Sequence, residues 1–134
     1  MSKGEDYSGE ILAHTLQGIA MPAPSAQLYV SLHTADPTPA GDQSSNECAY
    51  TGYARQVINP SNTVFQVAGR VASLLVNVQF PKATGGSEIA THAAIGVAST
   101  GAGAIKYSGP LTPTITIAAN VIPQLDSGST VTEN

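Results

Sequence analysis

The sequence predicts an all-β fold: an antiparallel β-sandwich, jelly-roll-like, of about seven to nine short strands with one N-terminal α-helix. Three observations predict it. From about residue 26 onward the hydrophobic pattern has period two and is rich in β-branched residues. The segments are short and separated by Gly, Pro and Asn turns. There is also no alternation of strands with helical patterns and no repeat at a fixed period, which leaves a parallel sheet or a solenoid without support. At 134 residues the chain is expected to be a single domain spanning 1–134, with the helix at about 8–18 and the sandwich at about 26–132.

The helix is expected because Leu12, Leu16 and Ile19 recur at helical spacing. Ser8 is the expected N-cap, with Tyr7 stapled onto Leu12 across it, and Glu10 complements the dipole. Gly18 and the following Met-Pro-Ala-Pro end the helix. A helix this short is marginal alone, so its apolar stripe must dock, either on its own sheet or on a neighbouring subunit. Gln27 to His33 then alternates, with Leu28, Val30 and Leu32 on one face and Gln27, Tyr29, Ser31 and His33 on the other. The loop from Thr34 to about Tyr50 is long for a compact domain, which points to a functional role or to ordering by a partner.

Further strands are expected at Tyr53 to Ile58 and Thr63 to Val67. The longest runs from Val71 to Phe80, with Ala72, Leu74, Val76, Val78 and Phe80 facing one way. Ile89 to Val97 follows, then a short strand from Ala104 to Tyr107 that turns at Ser108-Gly109-Pro110, and the β-branched Thr114 to Ile117. Asn120 to Leu125 contains Pro123 and is expected at an edge. Thr130 to Thr132 either adds a terminal strand or frays.

Composition narrows the function classes. Only 10% of residues are charged, against about a quarter in an ordinary soluble domain, while 42% are hydrophobic. The net charge is −4 and the five basic residues, Lys3, Arg55, Arg70, Lys82 and Lys106, are scattered, so no nucleic-acid partner is expected. No apolar run reaches the length of a membrane span, so no membrane partner is expected either. The N-terminus lacks the apolar core of a signal peptide, which implies synthesis and assembly in the cytoplasm. Cys48 is the single cysteine, with no cation beside it to activate the thiol.

Catalytic and metal constellations are not found. His14, His33 and His92 share no metal-ligand spacing, and the acids Asp36, Asp42 and Glu47 do not alternate as in a calcium loop. There is no nucleophile elbow, and Gly101-Ala102-Gly103 has neither the spacing nor the lysine of a phosphate loop. The reading is therefore no enzyme, no cofactor and no metal. Of the polar residues within the strands, Arg55 is expected to anchor the long loop by a bidentate pair with Glu47 or Asp42, and His92 to hydrogen-bond across the sheet. Tyr50 and Tyr53 flank Gly52, with one packing inward and the other covering the sandwich edge.

Five ordered segments carry a resemblance. They are Leu28-Tyr29-Val30-Ser31-Leu32-His33-Thr34-Ala35-Asp36-Pro37, Tyr53-Ala54-Arg55-Gln56, Phe80-Pro81-Lys82-Ala83-Thr84, Thr91-His92-Ala93-Ala94-Ile95-Gly96 and Tyr107-Ser108-Gly109-Pro110-Leu111. In this order they resemble small structural proteins of tailed bacteriophages usually labelled tail fibre proteins. The resemblance covers roughly Ile11 to Ile122 and implies a virion component. Within the virion, small size, low charge, sparse aromatics and a docking helix favour a decoration or cement protein on the capsid surface. Its partners would be the major capsid protein and further copies of itself, as a dimer or trimer. The contacts would come from Leu12, Leu16 and Ile19 of the helix and from Asp36, Asp42, Glu47 and Tyr50 of the loop. The alternative is a tail fibre or baseplate component that binds host surface carbohydrate, and a glycan-active enzyme is the least favoured reading.

Overall fold

The computed structural model describes residues 1–133, so the expectation for Asn134 lies outside the described residues. Strands in antiparallel sheets and one short helix make an all-β, sandwich-like fold. In chain order the elements are β1 (Ser2–Lys3), α1 (Glu5–Gln17), β2 (Leu28–His33), β3 (Gln56–Ile58), β4 (Phe65–Ala68), β5 (Val71–Leu74), β6 (Val78–Gln79), β7 (Glu88–Gly96), β8 (Ile105–Ile117), β9 (Gln124–Leu125) and β10 (Thr130–Thr132). A five-stranded sheet has the order β1-β8-β7-β2-β3, and opposite it lie a three-stranded sheet, β10-β5-β4, and the pair β6-β9.

The alternation of β2 sets the core. Leu32 lies opposite Ala93 and Val30 opposite Ile95, so these four share one face of the large sheet. With Ile58, Ala90 and Ile117 they form one core with Leu74 and Val78 from the smaller sheets and Phe80 just after β6. Phe80, Leu32 and Ile117 are the largest wholly buried apolar side chains, each stabilising by about 1.5–3 kcal/mol.

Several elements depart from the sequence expectation. The helix starts at Glu5, and Gly4 rather than Ser8 is its N-cap; Ser8 donates its backbone N–H to the Gly4 carbonyl from inside the first turn. Gly18, in the left-handed region, ends the helix as expected, and Ile19 N–H reaches back to the Ala13 carbonyl. The expected Tyr53–Ile58 strand begins only at Gln56, because Arg55 and Tyr53 turn to the long loop. The Val71–Phe80 run is split into β5 and β6. At the break Leu75 N–H bonds the Val64 carbonyl, and Leu75 and Val76 point outward.

The largest departure is β8. Ser108-Gly109-Pro110 makes no turn or hairpin; the strand runs straight through it for 13 residues. Gly109 is needed there for space, since a Cβ would meet the Cα of Met1 at 3.0 Å where β1 lies alongside. Farther along, β8 passes from Pro110 to Ile115 while β7 passes only from Ala90 to His92, so the extra β8 residues bulge out. Thr130–Thr132 does form a terminal strand, paired with β5 at the edge of its sheet.

Candidate interaction surface

The outer face of the large sheet carries Ser31 and His33, polar residues opposite the core face, and both are wholly buried. The cover is the loop from Thr34 to Tyr50, which folds back over its own sheet. Thr34 N–H bonds the Asn46 carbonyl, Cys48 N–H bonds the Leu32 carbonyl, and Glu47 bridges to His33 as a short strand would. His33 Nδ1 lies 2.8 Å from the Ser45 carbonyl and its Nε2 lies 2.8 Å from Ser31 Oγ. Burial pulls the His33 pKa below its ordinary value, against the raising effects of the Ser45 carbonyl and Glu47. The buried Ser–His pair ties the loop to the strand.

Gln43 is the plug of this loop. It is wholly buried, donates from Nε2 to the Tyr29 carbonyl at 3.2 Å and accepts the Ala98 N–H at 3.0 Å through Oε1. Gly96 and Gly103 make the slot, because a Cβ on either would collide with the Gln43 side chain. The sequence reading missed Gln43; the signal was present only as two glycines far along the chain.

The loop is locked a second time at Arg55. Its Nε and Nη2 bond the two Glu47 oxygens at 2.6 and 3.0 Å, and Nη1 and Nη2 bond the Ala98 and Gly101 carbonyls at 3.0 and 2.6 Å. Burial opposes the guanidinium charge, but Glu47 outweighs it and raises the Arg55 pKa. Tyr53 completes the chain: its hydroxyl donates to Glu47 at 2.9 Å and accepts the Leu32 N–H at 3.1 Å. Its ring stacks on Phe80 and meets Tyr50 edge-on. Burial pushes the Tyr53 phenol far up.

These packing facts redistribute the residues expected to meet a partner. Tyr50 is buried, donates its hydroxyl to the Pro81 carbonyl, and has its pKa pushed up to about 12 by burial, so it presents no surface. Glu47 is consumed by Arg55 and Tyr53. Asp42 is engaged within its own loop, accepting from Ser44, whose hydrogen bonds lower its pKa. Asp36 is exposed but serves an Asx turn with Thr38 N–H at 2.9 Å. His92 bonds its neighbour Thr91 at 2.9 Å rather than reaching across the sheet, where it lies between Pro110 of β8 and His33 of β2. Among the described residues no cluster of His, Cys, Asp and Glu is placed to hold a metal ion.

What remains at the surface is the helix and a cleft beside it. α1 rests on β8 by its N-terminal half only. Lys106 Nζ bonds Glu10 at 3.1 Å and lies 4.6 Å above the Tyr7 ring, and Tyr7 meets Tyr107 edge-on at 5.5 Å. Tyr7 is therefore not stapled to Leu12. Beyond Glu10 the helix and the connection through Gln27 are largely exposed, with Leu12, Leu16 and Ile19 at 57, 76 and 55%. Under that connection lies an open cleft of about 770 Å³. Met21, Leu28, Phe65, Val71, Ile95 and Val131 give it an apolar floor, with Glu10, Arg70, Lys106, Tyr107 and Glu133 among the polar groups around them. Lys3 pairs with Glu133 and, with the Tyr107 hydroxyl, holds that carboxyl below its ordinary range.

A family model described as podophage GP4 fiber I protein gp80 matches residues 6–133, nearly the whole chain. No curated protein matches the sequence.

Proposed function

The chain belongs to the podophage GP4 fiber I protein gp80 family, a fibre-type structural family of the virion, and from that premise we propose that it is a tail fibre building block acting by passive docking. The observation that carries this is the extent of the family match, which takes in α1 from its second residue, every strand of the large sheet after β1 and both smaller sheets. The match favours a fibre over the capsid-surface decoration that small size and low charge had favoured in the sequence. A non-enzymatic role fits the same picture, since the buried Ser31–His33 pair and the Arg55–Glu47 pair both go into holding a loop in place. Host surface carbohydrate is the partner class attached to a fibre. The half-buried Tyr7 and Tyr107 at the cleft, with Lys106, Arg70, Glu10 and Glu133, are where aromatic and hydrogen-bonding groups converge for it.

Quantitative mass spectrometry of purified virions, together with tailless heads, tests the assignment. A fibre component is present in tens of copies and is missing from tailless heads. Hundreds of copies retained on tailless heads would move the protein to the capsid surface. A glycan array probed with the isolated chain reads the carbohydrate question separately.

A further inference from the structure

We infer that the cleft under the α1–β2 connection binds an acidic sugar, with the sugar carboxylate on Arg70 and the sugar ring on the apolar floor. This rests on the fibre reading and its carbohydrate partner, and it narrows that partner to carboxylate-bearing sugars. At about 770 Å³ the cleft has the size of a small-ligand site. Its floor is set before any ligand arrives, because Leu28, Phe65 and Val131 are half-buried and packed against the core. Pro22 and Pro24 in the connection have fixed φ angles, which stiffens the arch beside the floor. Phe65 is the ring left for the C–H face of a sugar. Lys106 already lies over the Tyr7 ring, and the Tyr107 hydroxyl is committed to Glu133.

Charge chooses among sugars. Arg70, Lys106, Glu10 and Glu133 line the cleft, and Lys3 adjoins it through its pair with Glu133. Each carboxylate has its own lysine. Lys106 holds Glu10 at 3.1 Å, and Lys3 holds Glu133 together with the Tyr107 hydroxyl at 2.7 Å. Arg70 is the third cation against two acids, and among the described residues its guanidinium makes no ion pair or hydrogen bond. The cleft thus carries one surplus positive charge in a chain of net charge −4. The backbone at Arg70 is nonetheless fixed. It shares the turn between β4 and β5 with the left-handed Gly69, and its carbonyl accepts the Glu133 N–H at 2.7 Å. A planar guanidinium takes a carboxylate through two parallel hydrogen bonds. One surplus cation matches one carboxylate. A phosphate monoester brings nearly two charges, and a neutral sugar leaves Arg70 without an opposite charge.

A glycan array of uronic and nonulosonic acid sugars, each spotted beside its carboxyl-reduced neutral form, tests this with the full chain. The acidic member of a pair should be retained about tenfold more strongly than the reduced one. In an NMR titration with the best-retained acidic glycan, the Val71 and Val131 amides should shift. Arg70→Gln should weaken that binding about tenfold, and Arg70→Lys should fall between the two. Lys82→Gln, a cation that does not line the cleft, should leave it unchanged. The Arg70 side chain is exposed and only its carbonyl is engaged, so Arg70→Gln should keep the wild-type thermal melt. Equal retention of the reduced forms, or acidic binding that Arg70→Gln leaves intact, would overturn the inference while the carbohydrate reading stands. An array that retains no glycan of either kind would overturn both.

Discussion

Replacing Arg55 by Met should be the most destabilising single change among the polar residues, and its size can be worked from the contacts. The Arg55 side chain is only 3% exposed and Glu47 19%, so the pair is largely withdrawn from water. Arg55→Met leaves the Glu47 carboxylate with Tyr53 as its remaining side-chain donor and leaves the Ala98 and Gly101 carbonyls without the guanidinium. Gly101 is exposed and Ala98 half-buried, so water replaces much of what those carbonyls lose. The stranded carboxylate dominates, and breaking a buried pair from one side costs about 3–5 kcal/mol. For a chain of this length the unfolding entropy is about 0.28 kcal/mol/K, so a cost of about 3.5 kcal/mol lowers Tm by about 12 °C. Differential scanning calorimetry measures it. Arg55→Lys, which keeps the charge and loses the two-pronged geometry, should fall between wild type and Arg55→Met. The double variant Arg55→Met/Glu47→Gln should recover much of the loss, because no buried charge is then left alone. A Tm for Arg55→Met within about 2 °C of wild type would refute the argument, as would a double variant less stable than either single one.

Three further outcomes follow from the same packing. Gly96→Ala places a methyl group in the Gln43 slot and should cost about 1–3 kcal/mol in urea unfolding, partly restored in Gly96→Ala/Gln43→Ala. If the second substitution restores nothing, Gln43 does not fill that slot. His33 has a folded pKa below its unfolded value of about 6.5, so the unfolded chain takes up the proton first. Its stabilising contribution is complete above about pH 6.5 and is lost as pH falls through the lower folded value. Urea midpoints from about pH 7.5 down to about 5.5 should therefore decline, and His33→Gln should flatten that decline. The Cys48 thiol is buried, and burial, Glu88 and Glu47 push its pKa up to about 12, so a thiol reagent at neutral pH should label it only at the rate of unfolding. Labelling of the folded chain within minutes would contradict that burial.

Local rules were legible where local physics decides. Val30 and Leu32 alternate because a strand presents every second side chain to one face, and both are in the core. Gly18 ends α1 because a left-handed residue there meets no Cβ penalty. The Arg55–Glu47 pair was foreseeable from a lone cation in a strand region and an acid in the adjoining loop. The same rules failed where a neighbour overrode them. Ser108-Gly109-Pro110 has turn composition, yet β7 on one side and β1 on the other hold it in a strand, with Gly109 making room for Met1. Ser31 and His33 have the look of a solvated face until the loop from Thr34 covers them.

The sequence by itself determined the class of fold, the helix with its apolar stripe, and the ordered motifs that point to a phage structural protein. Each of these depends on residues close together along the chain or on identity alone. Only the tertiary structure decided which surface is left for a partner. Glu47 and Tyr50 turn inward because Arg55, Tyr53 and the Pro81 carbonyl take up their polar atoms, while Asp42 is spent on Ser44 within its own loop. Leu12, Leu16 and Ile19 remain outside because Tyr7 and Glu10, on the opposite side of the same helix, are the residues that β8 holds. Which way a helix faces is set by contacts almost a hundred residues away, and no window of sequence contains them.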